Sequence, residues 1–168
     1  GLPERPQDCG SMIRLVEMMK SHAEFGGERK LVFRPTSIDL PSDRSIGILG
    51  PPGSGKTTLL QLLARKQKAD CGAILGPQDM SPVVNSGGLF HPQLSAIENA
   101  QFFAHALGVD ADWLLVSANT FYRLDFDLHR PMCMQTQTNR RVLEAALVTV
   151  LPFDCYLYDD VGKLEPDL

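Results

Sequence analysis

Short apolar segments separated by polar turns run through the first half of the chain and predict β-strands. Met12–Glu17, Lys30–Phe33 and Thr36–Leu40 mix apolar and polar positions, which predicts three strands, with the first at the edge of a sheet. The stretch Ile46–Leu49 is almost wholly apolar and predicts a short buried strand. Ala73–Leu75 predicts another short strand. The first half of the chain is therefore expected to be rich in strands.

Apolar residues at helical spacing begin just after residue 58. Leu59 and the leucines that follow it predict a helix that continues through Arg65–Lys68 and ends near Asp70. A cationic last turn of this kind suits the partial negative charge of a helix C-terminus. Residues 76–88 are rich in proline and glycine and predict a loop.

The second half of the chain has the spacing of helices. Three are predicted, over residues 96–107, about 111–122 and about 138–150. Ser95 directly precedes the first of these helices, and Glu98 lies three residues after Ser95. This spacing is the pattern of a capping box. The apolar segment Cys155–Tyr158 then predicts a strand that runs directly into Asp159 and Asp160.

A glycine-rich stretch separates the predicted buried strand from the first predicted helix. It reads Gly50-Pro51-Pro52-Gly53-Ser54-Gly55-Lys56-Thr57-Thr58, which fits the phosphate-binding pattern of a Gly, four residues and Gly-Lys-Ser/Thr. Glycines let successive backbone N–H groups point at an anion, and the helix N-terminus adds partial positive charge. In that geometry Lys56 would reach the β- and γ-phosphates and the Thr57 hydroxyl would bind Mg²⁺. The alternative, a turn that ends in Lys-Thr by coincidence, leaves the flanking strand and helix unexplained.

Together these elements predict an α/β fold of the P-loop NTPase class. We expect a mostly parallel sheet, an antiparallel N-terminal β flap and a small helical insert at about residues 90–150. Residues 12–168 are expected to form a single nucleotide-binding domain. Residues 1–11 are rich in proline, glycine and charge, so we expect a disordered lead or a vector-derived remnant.

Composition and charge narrow the classes of partner. The formal net charge is −4 and no basic stripe is present, so a nucleic-acid partner is not expected. The four cysteines are scattered, without the spacing of a zinc site or a disulfide framework. No apolar run approaches the ~20 residues of a membrane span, so any membrane association is expected to pass through a partner.

Three motifs in this order resemble the ATP-binding subunits of ABC transporters: the phosphate loop, the segment Gly87–Asn99 and the segment Phe153–Asp160. Within that superfamily the chain looks most like the subunits that serve capsule and O-antigen polysaccharide export. The resemblance implies ATP and Mg²⁺ as cofactors and a transmembrane permease as partner. It also implies an ATP-dependent homodimer or heterodimer and a cytoplasmic location, peripheral on the inner face of the cell membrane.

The resemblance further implies roles for single residues. Asp159 corresponds to the carboxylate that holds Mg²⁺ through its water shell. Asp160 stands where the family has a glutamate that orients the attacking water, so Asp160 and Lys56 are the candidate catalytic residues. His22 lies where the family has a tyrosine that stacks on adenine, and its alternative is a solvated histidine in a polar loop. The family's metal-contacting glutamine has no clear counterpart, although Gln93 and Gln78 are the nearest amides.

Two departures from the family pattern bear on turnover. Thr136-Gln137-Thr138 stands where the family has a Ser-Gly-rich signature that contacts the γ-phosphate of the opposite subunit. A residue with a Cβ cannot approach a phosphate as closely as glycine can, so slow turnover is expected unless a partner chain supplies the missing groups. The sequence stops at Gly162–Leu168, where the family's inter-subunit loop is expected, so the resemblance implies a divergent, C-terminally short member.

Two other functions remain open from the sequence. The degraded signature and Asp160 fit a non-catalytic module whose interactions depend on bound nucleotide. A small P-loop kinase is the third possibility, because such kinases carry arginines on a lid segment. The candidate lid arginines are Arg123, Arg130, Arg140 and Arg141.

Overall fold

The computed structural model describes residues 12–23, 28–41, 43–77 and 79–160. The expectations for residues 1–11, for Gln78 and for residues 162–168 lie outside the described residues. The chain divides into two compact units, Gly1–Ser81 and Pro82–Leu168. The first unit contains β1 (Met12–Ala23), β2 (Arg29–Pro41), α1 (Lys56–Leu63) and β3 (Cys71–Leu75). Strand β4 (Met80–Val84) leads into the second unit, which continues with α2 (Ala96–Leu107), α3 (Ala111–Tyr122), a 3-10 turn (Met132–Met134), α4 (Gln137–Thr149) and β5 (Cys155–Tyr158).

The antiparallel flap predicted from the sequence is a three-stranded sheet with β1 at its centre. The strand order is β2-β1-β3, and β1 runs antiparallel to both neighbours. The expectation that Met12–Glu17 forms an edge strand is therefore wrong. Leu15 is paired with Ile38 of β2 and with Ile74 of β3, and its side chain is almost fully buried. Pairing between segments distant in sequence decides which strand is central, and the local apolar pattern does not contain that information.

Strand β2 is continuous where the sequence predicted two separate strands. Pro35 lies inside it, at a point where the register with β1 shifts between the Met18–Thr36 and Lys20–Phe33 pairs. Proline is tolerated at such irregularities and on edge strands, because no ladder hydrogen bond needs its missing N–H. The opposing strand carries a matching irregularity at Glu17, whose φ is 45°.

The short buried strand predicted at Ile46–Leu49 is absent from the described residues. The segment has no strand assignment, and the Leu49 side chain is 96% exposed. A strand in a parallel sheet exists only while neighbours supply its ladder hydrogen bonds. Neither of the two sheets formed by the described residues includes this segment.

Helix α1 ends earlier than predicted. Its last residue is Leu63, and Arg65 turns the chain with a left-handed φ of 56°. The backbone N–H groups of Lys66 and Gln67 then both donate to the Gln61 carbonyl oxygen. The cationic residues predicted for the last helical turn therefore lie beyond the helix. One of them is stabilised by β1, since the Lys68 carbonyl accepts from Lys20 Nζ at 2.7 Å.

The second unit is a helical layer on a short two-stranded sheet. The helices predicted at 96–107, 111–122 and 138–150 are confirmed, the last with a one-residue shift, and so is the strand at 155–158. Helix α3 packs against both α2 and α4, and the core between them is apolar. The loop predicted over residues 76–88 is wrong in part, because it contains β4, which pairs in parallel with β5. None of the helices in the described ranges is long and apolar enough to cross a bilayer.

Candidate functional site

The glycine-rich stretch Gly50–Thr58 forms a curled loop that leads into α1. Gly53 and Gly55 have φ values of 78° and 92°, a left-handed region that side-chain-bearing residues rarely adopt. Gly55 is the N-cap residue of α1, and no described side chain caps the first turn. Glycine at this position therefore leaves the positive end of the helix open to an anion.

An added Cβ would also meet neighbouring side chains at Gly50 and at Gly55. A Cβ added at Gly50 would lie 2.6 Å from the Ser54 hydroxyl oxygen. A Cβ added at Gly55 would lie 2.7 Å from the Val32 side chain and 2.8 Å from the Phe33 ring. Strand β2 thus packs directly against the start of α1, and a side chain at Gly55 would force Val32 and Phe33 to move.

The lysine of the motif closes the loop on itself. Lys56 Nζ donates to the carbonyl oxygens of Gly50 and Pro51, with both distances at 2.9 Å. The Ser54 N–H donates to the Pro51 carbonyl at 3.2 Å. These bonds hold the ammonium group inside the curve of the loop, where an anionic ligand would meet it together with the helix N-terminus.

A cavity of about 350 Å³ lies beside the loop in the first unit. One side is formed by Gly53–Thr58, and the other by His22 of β1 and residues 30–32 of β2. His22 Nε2 lies 3.4 Å from the Thr58 hydroxyl oxygen. The predicted site residues Lys56, Thr57 and His22 therefore line one cavity, whose volume is in the range of small-ligand sites. His22 is part of a strand, so its placement in a polar loop is wrong, because β1 extends further than predicted.

A neighbouring aspartate fixes the backbone beside His22. Asp70 Oδ2 accepts from the Ser21 N–H at 2.7 Å and from the Ser21 hydroxyl at 2.6 Å. These two hydrogen bonds lower the pKa of Asp70 from its ordinary value, with a smaller contribution from Lys20, whose Nζ lies 3.5 Å away. The end of β1 that carries His22 is thereby held to the residue that precedes β3.

Asp159 and Asp160 lie where β5 ends in the second unit. The Asp159 N–H donates to the Val84 carbonyl oxygen at 2.9 Å, which joins the ends of β5 and β4. Asp159 is half-buried, whereas Asp160 is exposed and has a left-handed φ of 55°. The position of Asp159 at the end of an apolar strand is as predicted, and its metal-binding role remains a prediction.

Asn85 is a candidate that sequence reasoning missed. It directly follows β4, has a left-handed φ of 66°, and its Oδ1 is buried without a hydrogen-bond partner within the described part of the chain. An amide oxygen left over at a strand end is suited to a metal ion or a water. Of the two amides named from the sequence, Gln93 is exposed in a turn. The signal that was available is that asparagine is enriched in left-handed conformations, here directly after an apolar stretch.

The segment Gly87–Asn99 is organised by its last residue. The Asn99 side chain is buried, accepts from the His91 N–H at 2.7 Å, and donates to the carbonyls of His91, Leu94 and Ser95. The capping box at Ser95 and Glu98 is confirmed, because each side chain bonds the other's backbone N–H. These hydrogen bonds from Ser95 lower the pKa of Glu98.

The segment at the signature position differs in form from the phosphate loop. Thr136 is the N-cap of α4, and its hydroxyl accepts from the Asn139 N–H at 3.1 Å. The first turn of α4 is thus capped by its own side chain, in contrast with α1. The placement of Thr136–Thr138 at the start of the helix that leads to Asp159 is as expected.

Comparison with known families decides the assignment. A family model described as ABC transporter matches residues 33–147, more than half of the chain. The chain belongs to the ABC transporter family. The matched range includes the phosphate loop and the start of α4, and it ends before Asp159.

Three curated proteins that are similar to this ABC transporter chain are each named as an ATP-binding protein. It is 29% identical to the ATP-binding protein BexA of Haemophilus influenzae over 150 residues, 89% of this chain and 69% of the relative. The same identity and coverage hold for the capsule polysaccharide export ATP-binding protein CtrD of Neisseria meningitidis. The polysialic acid transport ATP-binding protein KpsT of Escherichia coli is 28% identical over 152 residues, 89% of this chain and 67% of the relative.

Solved structures confirm the P-loop α/β fold of the ABC transporter chain. An ATP-binding protein from Pyrococcus furiosus, described as a putative ABC transporter, superposes with a TM-score of 0.65 and 17% identity, over 89% of this chain and 76% of that one. The bacterial ABC transporter cassette MJ0796, solved as a dimer, gives a TM-score of 0.68 and 16% identity, over 81% and 68% of the two chains. At these identities the likeness establishes the fold.

Proposed function

We propose that this chain is the ATP-binding subunit of an ABC transporter that exports a surface polysaccharide. The observation that carries the proposal is the phosphate loop, in which a left-handed Gly55, an uncapped helix start and Lys56 surround one cavity. Two of the relatives are named for capsule polysaccharide export and polysialic acid transport, which supports a polysaccharide as cargo.

The residues present fit a nucleoside triphosphate with Mg²⁺. Backbone N–H groups at the start of α1 and the Lys56 ammonium would hold the phosphates. The imidazole of His22, across the cavity from the loop, offers a flat face to a base. Thr57 would supply a hydroxyl to Mg²⁺. In the second unit, Asp159 and Asn85 follow the ends of β5 and β4 and carry oxygen atoms of the kind that Mg²⁺ prefers. When bound, Mg²⁺ neutralises charge on the phosphates.

The residues of this chain suit the binding of ATP better than its hydrolysis. Lys56 binds phosphate oxygens, and Asp160 orients water or accepts its proton. The carboxylate of Asp160 is one methylene shorter than that of a glutamate, and a misplacement of about 1 Å can cost roughly a hundredfold in rate. At the start of α4, the Thr136 hydroxyl caps its own helix by accepting from the Asn139 N–H. We therefore expect the chain to bind Mg-ATP and to turn it over slowly unless a partner chain supplies the missing groups.

The proposed partners follow from the same function. A subunit of this kind works beneath a transmembrane permease, at the inner face of the cell membrane. It pairs with a second ATP-binding subunit, identical or related, so that two nucleotides are enclosed between them. We include residues 12–168 in one nucleotide-binding domain, with α2 to α4 as its helical insert.

A second candidate function is a nucleotide-dependent interaction module without turnover. The threonine cap at the start of α4 and the left-handed Asp160 favour it, because both depart from an efficient reaction site. Family membership favours either of these two functions over a small-molecule kinase.

The oligomeric state with and without ATP and Mg²⁺ tests the proposed function. Light scattering coupled to gel filtration is expected to show a monomer without nucleotide and a dimer with Mg-ATP. Asp160→Asn, which slows any turnover, should increase the dimer fraction. A chain that remains monomeric at saturating Mg-ATP in both proteins would contradict a transporter-type nucleotide sandwich.

A further inference from the structure

In the second unit, the carbonyl and the N–H of the Val84–Asn85 peptide group are both hydrogen-bonded. The carbonyl of Val84 accepts from the Asp159 N–H at 2.9 Å. The N–H of the same peptide group, which belongs to Asn85, donates to Glu144 Oε2 at 3.1 Å. Glu144, on α4, is thus joined to the backbone of Asp159 through a single peptide group.

Glu144 is an unusual residue for its surroundings. It is 7% exposed, and Leu143, Ala145 and the three residues after Ala145 are all buried. A carboxylate in an apolar core is costly unless hydrogen bonds compensate it. An apolar residue would pack there without that cost, so packing alone does not explain a glutamate.

The hydrogen bond from the Asn85 N–H gives this carboxylate a polar partner. Asn85 adopts a left-handed φ of 66° at the point where β4 ends. A carboxylate is a strong acceptor for that N–H, and it polarises the peptide group so that the Val84 carbonyl becomes a better acceptor for Asp159.

We infer that Glu144 is a positioning residue for two candidate Mg²⁺ ligands, Asp159 and Asn85. It fixes the position of both through its hydrogen bond to the Val84–Asn85 peptide group. This inference rests on the proposed function, since it assumes that Asp159 holds Mg²⁺. It makes α4 the element that fixes the ends of β4 and β5. The segment Thr136–Thr138 and the metal carboxylate are then connected within one chain.

Two substitutions and one control test the inference. Glu144→Gln retains an acceptor oxygen, whereas Glu144→Met has a similar size and none. Leu147→Ala is the control, because Leu147 is fully buried on the same helix. Nucleotide titrations at a series of Mg²⁺ concentrations give the Mg²⁺ half-saturation of each protein.

We expect the half-saturation to rise about tenfold in Glu144→Met, the lower range for loss of a partner that orients a metal ligand. Glu144→Gln should lie between wild type and Glu144→Met, and Leu147→Ala should match wild type although its melting temperature falls. An unchanged value in Glu144→Met would overturn the inference. A Mg²⁺ half-saturation in Glu144→Gln as high as that in Glu144→Met would also overturn it. An equal rise in Leu147→Ala would do the same.

A second readout needs no nucleotide. Amide hydrogen exchange of the free protein should be faster at Asn85 and Asp159 in Glu144→Met, relative to the amides of α4, and should keep the wild-type ratio in Leu147→Ala. Unchanged relative exchange at both amides would overturn the inference by itself. If wild type bound no nucleotide, the proposed function would fail, and the exchange measurement would still decide whether Glu144 holds Asp159.

Discussion

The ammonium group of Lys56 lies 2.9 Å from the carbonyl oxygen of Gly50, across the curve of the phosphate loop. A bond of the same length joins it to the Pro51 carbonyl. These two hydrogen bonds hold the ammonium group inside the curve of the loop. The phosphates of a nucleotide would replace two neutral acceptors by charged ones, which form stronger hydrogen bonds with an ammonium. We expect nucleotide binding to depend on that exchange and on the glycines that shape the loop.

Gly55→Ala is expected to damage both folding and binding. The alanine would have to adopt a φ of 92° and would place its Cβ 2.7 Å from Val32. Strain of this kind costs about 1–3 kcal/mol, before any loss from displaced packing. Chemical denaturation and ATP titration measure the two effects. Gly47→Ala is the matched control, because a Cβ at Gly47 meets no atom within 4 Å, and it should leave ATP affinity unchanged. Equal affinities in the two variants would contradict the loop geometry.

Asp159→Asn is expected to weaken the dependence of nucleotide binding on Mg²⁺. The amide keeps an oxygen atom but loses the charge that attracts a divalent cation. Titration of ATP with Mg²⁺ and with EDTA should show a large difference in affinity for wild type and a small one for the variant. The exposed Asp112 on α3 provides the control, as Asp112→Asn. The metal-binding role of Asp159 is excluded if both variants retain the wild-type response to Mg²⁺.

Asp160→Glu is expected to raise ATP turnover. A glutamate extends the carboxylate by one methylene, and restoring about 1 Å of reach can recover up to roughly a hundredfold in rate. Affinity for ATP should stay the same, so kcat and KM are measured together by phosphate release. Asp160→Asn is the matched comparison and should lower turnover further. A Glu variant no faster than wild type would indicate that the start of α4, and not Asp160, limits the reaction.

The Asp70–Ser21 hydrogen bonds predict a stability that is lost in acid. Hydrogen bonds from Ser21 lower the pKa of Asp70 in the folded state, while in the unfolded chain it returns to about 3.9. The contribution is therefore fully present above pH ~4 and is lost as the pH falls through the lower folded value. Thermal melts from pH 6 to pH 2.5 should show a smaller acid-induced decrease in Asp70→Asn than in wild type. Parallel curves for the two proteins would contradict the role given to Asp70.

Ser95→Ala is expected to destabilise the second unit without affecting ATP affinity. Ser95 and Glu98 bond each other's backbone N–H groups at the start of α2, and loss of an N-cap of this kind costs about 1 kcal/mol. Urea denaturation gives the change, with the exposed Ser45→Ala as the control. A variant as stable as wild type would show that the capping box contributes nothing.

Features set by local chemistry could be predicted from the sequence. The phosphate loop follows from glycine torsions, and the start of α2 from the pairing of Ser95 with Glu98, which needs no distant partner. Features set by strand pairing could not be predicted in this way. The apolar run at Ile46–Leu49 is not a strand, while β4 formed within a proline-containing stretch that was expected to be loop.

The residues of the candidate site also differ in whether they could be identified from local sequence. Lys56 and Thr57 were located by motif, and the structure places them in one cavity with His22. Glu144 could not be found, because its role depends on a hydrogen bond to Asn85, which lies 59 positions away in the sequence. An isolated glutamate within a helix carries no sequence signal that distinguishes a buried acceptor from a solvated charge.

Titration of the protein with Mg-ATP, comparing wild type with Lys56→Ala, tests the central claim most directly. The exposed Lys66 lies beyond α1, and Lys66→Ala is the charge-matched control. Loss of charge-assisted hydrogen bonds worth about 1.5–3 kcal/mol should weaken binding by roughly 10- to 100-fold in Lys56→Ala and leave Lys66→Ala unchanged. Equal affinity of wild type and Lys56→Ala would contradict the claim that this loop holds the phosphates of ATP.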